Sequence, residues 1–96
     1  MASVNLTDLL LTLVGERLVL DALGPWVYIG ILSEVGRDWV RLEEVDAHDL
    51  RDSGGSRERY VLAAREHRPA PNRGGVWIPL TQVASFSRLD EVIRYA

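Results

Sequence analysis

The chain of 96 residues contains no cysteine. That removes disulfides, a thiol nucleophile and any cysteine-ligated metal from consideration. It contains no lysine either. All eleven basic residues are arginine, so every cation here can grip a carboxylate or phosphate through a planar fork. No apolar run approaches the length needed to cross a bilayer. No basic segment precedes the first apolar run, so a secretory leader is not expected. The reading that follows is a cytoplasmic protein with no membrane partner. No glycine-rich loop joins a strand to a helix, and no serine occupies a nucleophile elbow. Nucleotide binding through a phosphate loop and serine hydrolysis therefore have no support, and no cofactor is implied.

What is present is ordinary in amount and uneven in placement. The apolar fraction of 47% and charged fraction of 26% suit one globular domain, taken as residues 1–96. The net charge is −3, but residues 1–50 hold nine acids against three arginines. Residues 51–73 hold six arginines against three acids.

The chain is organised around Trp26 to Leu42, WVYIGILSEVGRDWVRL. Its branched and aromatic residues favour a pleated strand. Val27, Ile29 and Ile31 fall on one face, and Trp26, Tyr28, Gly30 and Leu32 on the other. Both faces are apolar, so the strand is covered on both sides or bent to serve two packing layers. Gly30 fits a bend or a close backbone approach. Gly36-Arg37-Asp38 supplies a turn, and Trp39 to about Val45 forms the next strand.

Before this hairpin, Leu6, Leu9, Leu10, Leu13 and Val14 have helical spacing, which predicts a helix from Ser3 to Val14 ended by Gly15. Leu11 lies off that stripe. Arg17 to Leu23 reads as a first strand. After the hairpin the chain turns polar, with Gly54-Gly55 between serines reading as a flexible loop. Ser56 to His67 then reads as a helix capped by Ser56, with a strand over Tyr60 to Ala64 as the alternative. Val76 to Pro79 and Val83 to Leu89 read as short fourth and fifth strands, with one helical turn over Leu80 to Gln82 between them. Asp90 to Ala96 reads as a helical turn or a strand extension.

Gly30-x-Leu32, Asp38 through Leu42 and VWIPLTQVASF, in this order of elements, resemble the Sm-like family. They also resemble small bacterial barrels of Src-homology-3-like type. The resemblance covers about 60 residues. It implies a mainly β fold: a strongly bent five-stranded barrel with an N-terminal helix and a helical or loop insertion at about 46–74. It further implies a non-enzymatic module that forms a cyclic homo-oligomer and binds protein or RNA. In that family two loops line a ring and bind RNA. The second carries Arg-Gly, or Tyr-Lys-His in bacterial members, where this chain has Pro79-Leu80-Thr81-Gln82. Arg41 stands where the family has Asn, and the spacing from Gly30 to Leu42 is one residue longer. Only Arg37 and Arg41, near the first loop, remain as RNA contacts on this ground. The family's open edge maps to Val83, Ala84, Ser85 and Phe86, an edge that no lysine blunts.

Other candidates carry bland accounts beside sharp ones. His48 with Asp46 and Asp49, and His67 with Glu66, would need to converge to hold a metal or serve an enzyme in a cleft between barrel and insertion. Solvated surface histidines are the simpler account. The acidic run Glu43, Glu44, Asp46 and Asp49 reads as a solvated strand end. The tryptophans read as packing, with an exposed, partner-binding Trp77 or Trp39 as the second account. On a helix at 56–67, Arg57, Arg65 and Arg68 share a face with Tyr60, an arrangement able to hold phosphate and stack a base. The competing account, placed first, pairs these arginines with acids of the first half, Glu43, Glu44 and Asp46 among them.

Overall fold

The computed structural model describes residues 5–52, 56–68 and 70–93. In chain order it contains α1 (Leu6–Leu11), β1 (Arg17–Ala22), β2 (Trp26–Val35), β3 (Trp39–Asp49), α2 (Arg57–Glu66), β4 (Arg73–Pro79) and β5 (Val83–Arg88). Single 3-10 turns follow β3, β4 and β5. The strands form one antiparallel sheet in the order β4-β3-β2-β1-β5. The expected Ser3 start of the first helix, the Gly54-Gly55 loop and the end of the C-terminal turn lie outside the described residues.

The sheet bends because two residues break the ladder between β2 and β3. Glu44 adopts a left-handed φ of 50° and is the extra residue between the pairs Ile29↔Asp46 and Ile31↔Glu43. Opposite it, Gly30 has no room for a side chain: a Cβ there would lie 2.9 Å from the Glu43 carbonyl oxygen. A second bulge follows at Ser33, between Leu32↔Leu42 and Glu34↔Arg41, where the Ser33 hydroxyl donates to the Arg41 carbonyl. Such bulges kink a strand and increase its twist.

The bent sheet carries an apolar layer on each face. Leu18, Leu20, Leu32, Val40, Leu42, Val45 and Ile78 fill the concave side, closed by Leu10 of α1. On the other side Val19, Val27 and Ile29 lie under Val61 and Ala64 of α2, with Leu89 beside them. This explains why β2 reads as apolar on both faces.

Several expectations need correction. The barrel is instead an open, bent sheet, because β4 and β5 do not pair with each other. The turn between them is pinned elsewhere: the Leu80 N–H donates to Asp38 and the Leu23 N–H to Gln82. Pro79 also lacks the N–H that would continue the ladder. β3 runs on to Asp49, since its polar end pairs with Trp26 to Ile29. β4 begins at Arg73, so the insertion spans 50–72. α1 stops at Leu11, where the Thr12 hydroxyl donates to the Leu9 carbonyl. Of the apolar stripe only Leu10 is buried, while Leu13 is half-buried and Leu6, Leu9 and Val14 are exposed, as is Leu11 off the stripe. The helix touches the sheet along one side only.

Candidate functional site

The arginine-rich insertion does not fold into one patch. Ser56 caps α2 by accepting from the Arg59 N–H, and Val61 and Ala64 anchor the helix to the sheet. Arg57 then reaches Asp21 of β1, with 3.4 Å between nitrogen and oxygen. It also donates to the Gly24 carbonyl. The Tyr60 hydroxyl donates to Asp46, and its ring stacks on His48, with centroids 4.1 Å apart. Burial, then the bond to Asp46, pushes the Tyr60 hydroxyl well above its ordinary pKa. It stays protonated and keeps donating. Arg51 holds Asp49 in a fork at 3.0 and 2.7 Å. That guanidinium and the Arg51 N–H hold the Asp49 carboxyl down at about 2. Arg65 and Arg68 stand apart from these contacts and line a separate cleft with Arg17.

The acids meet different partners from those expected. Asp46 bonds Tyr60, Glu43 lies 3.7 Å from Arg41 and Glu44 lies 4.0 Å from Arg17. Asp21, for which the sequence pattern holds no signal, is the acid that meets Arg57. Its Ser85 partner donates from β5 at 2.9 Å. His48 is engaged with Tyr60 and His67 is exposed beside Glu66. Neither lines the clefts formed around Arg57 and Val61, around Arg17 and Arg65, or beside Trp77, and no metal-ligating cluster occurs among the described residues.

The outer face of β3 and β4 presents aromatics. Trp77 is 63% exposed, and the Arg41 guanidinium lies 4.1 Å from its ring centroid. These two residues are register partners. Arg41 also occupies the space a Cβ at Gly75 would need, so Gly75 makes room for the stack. Trp39 folds over Gly36 in the turn before it, and Arg37 is exposed in that turn. The Trp77–Arg41 stack was missed in the sequence. The signal was available only once β3 and β4 were set in register.

The two outer strands of the sheet are β4 and β5. On β5, Val83 and Phe86 turn toward the concave core, while Ala84 and Ser85 are exposed. Ala84 is the extra residue where the β1–β5 register shifts between Asp21 and Ala22. No helix among the described residues is long and apolar enough to cross a membrane. No family model and no curated protein matches this chain.

Proposed function

We propose that the chain is a non-enzymatic, Sm-like module that self-associates through its two sheet edges and presents the assembly to protein or RNA. The observation that carries this reading is the strand order β4-β3-β2-β1-β5. Its two edges are consecutive in the chain and separated only by the turn Leu80–Gln82. Edges of this kind are dissimilar surfaces on one subunit. Pairing β4 of one copy with β5 of the next is a heterologous contact, which closes into a ring when the rotation per subunit allows. Unpaired N–H and C=O groups along both strands supply the bonds.

Three further features support the same reading. α1 covers the concave layer through Leu10. The bulge at Ser33 absorbs the one extra residue between Gly30 and Leu42. The exposed Trp77, with Arg41 behind it, offers an aromatic and a guanidinium to a partner, the pair most enriched where proteins meet. Arg37 extends that face at the neighbouring turn.

The edges are tested by placing lysines on the exposed positions Ala84 and Ser87. The Ala84→Lys/Ser87→Lys variant should sediment as a monomer while the parent sediments as a larger species. A variant with the parent's sedimentation coefficient would refute edge pairing. RNA as the partner is read from the 260-to-280 nm absorbance ratio of protein purified at low salt, with and without nuclease. An unchanged ratio removes RNA and leaves protein.

A further inference from the structure

The face of β1 beneath α2 carries Arg17, Val19 and Asp21 in alternation. Val19 packs in the apolar layer with Val61 and Ala64. Asp21 meets Arg57, the first residue of the helix. Four residues of strand and eight of helix each span about 12–13 Å. Arg17 therefore falls at the opposite end of α2 from Asp21. There its ion pair among the described residues is with Glu44 of β3. Arg17 shares a cleft of about 410 Å³ with Arg65 and Arg68.

The two ends of α2 thus treat charge differently. At the first end an arginine and an aspartate compensate each other. At the second end three arginines line one cleft, Arg17 half-buried and Arg65 and Arg68 exposed. The Arg65 and Arg68 side chains make no hydrogen bond or ion pair among the described residues. The carboxylate near Arg17, that of Glu44, is 4.0 Å away and 64% exposed. Two acids, Glu16 and Asp90, do line the cleft, but a fourth arginine takes them. Arg88 lies 3.5 Å from Glu16 and 3.5 Å from Asp90. Like charges lining one cleft raise the local concentration of anions there.

We infer that this cleft binds a small anion carrying adjacent phosphate groups, such as inorganic pyrophosphate or the diphosphate of a nucleotide. Its size lies in the range of ligand sites. Its apolar lining is limited to Ala64 and Leu89, which does not suit an apolar guest. Each guanidinium offers five N–H donors in a fork. Three forks exceed what one phosphate accepts, and a second adjacent phosphate uses the surplus. The site does not depend on self-association, since none of its residues lies on β4 or on the exposed positions of β5.

The test is calorimetric titration of inorganic pyrophosphate into the full chain at low ionic strength, followed by amide chemical shifts. The expected result is saturable one-to-one binding with shifts confined to the surroundings of Arg17, Ala64, Arg65 and Leu89. Arg65→Gln/Arg68→Gln should weaken binding about tenfold or more, the usual weight of charge-assisted hydrogen bonds. Because neither side chain has a partner among the described residues, that variant should unfold at the parent's temperature. Arg59→Gln, an exposed arginine outside the cleft, should bind as the parent does. Absence of saturable heat, or equal affinity in the Arg65/Arg68 and Arg59 variants, would overturn the inference. A single-stranded RNA with a free 5′ hydroxyl supplies the other arm. Affinity that rises with its length, without competition from pyrophosphate, would mean a polynucleotide track and would equally overturn it.

Discussion

At the scale of single residues, two acids at the end of β3 sit in pairs, Asp49 with Arg51 and Asp46 with Tyr60. Asp49 is nearly buried, and its carboxylate accepts from the Arg51 side chain and backbone. Its pKa falls from an ordinary 3.8 to about 2 because those donors favour the charged form. A depressed carboxylate contributes stability that is complete above its unfolded pKa and lost as pH falls through the folded one. Unfolding free energy measured against pH should therefore drop between about pH 4 and pH 2, and Arg51→Gln should flatten that drop. An identical slope in the variant would show that Arg51 is not the cause. These pairs also explain why Asp46 to Asp49 reads as loop in the sequence. Isolated polar residues suggest solvent, and their partners, Tyr60 and Arg51, lie in a segment whose position the pattern of β3 does not reveal. Gly30 is the opposite case. Its place in an otherwise apolar strand already signals a close approach, and Glu43 is what approaches it.

At the scale of elements, strands and helices were legible where a period was strong. β2, the capped α2 and the turn between β4 and β5 follow directly from alternation, the Ser56 cap and Pro79. Boundaries failed where local chemistry overrode the period. β3 runs four residues further because a left-handed Glu44 bends it onto β2. β4 starts three residues earlier because Gly75 and Arg73 pair with Glu43 and Val45 of β3. α1 shows the limit of helical spacing as a guide to burial: of five residues at core-like positions, only Leu10 is fully covered. Leu10→Ala should cost about 2–5 kcal/mol, as for other buried leucines. Leu11→Ala, at a 53% exposed position, should stay within about 0.5 kcal/mol of the parent. Denaturant unfolding of the two variants checks this, and comparable losses would show that α1 is packed along a second side.

At the scale of the whole molecule, the five strands, the N-terminal helix and the second helix were legible, while the closure of the sheet was not. Whether two edge strands pair depends on where their connecting turn is tied, and the ties from Leu80 to Asp38 and from Leu23 to Gln82 leave no mark in either strand. The candidate site divided in a similar way. The arginine-rich segment was visible as composition, but which arginine meets an acid depends on how α2 lies along β1. That alignment sends Arg57 to Asp21 and leaves Arg65 and Arg68 with Arg17. The edges of the open sheet are what the proposed function rests on. Light scattering after size exclusion, on the full chain at high concentration, tests it most directly. Self-association through β4 and β5 predicts a mass that is a multiple of 10.8 kDa; a single species at 10.8 kDa across the concentration range would contradict it.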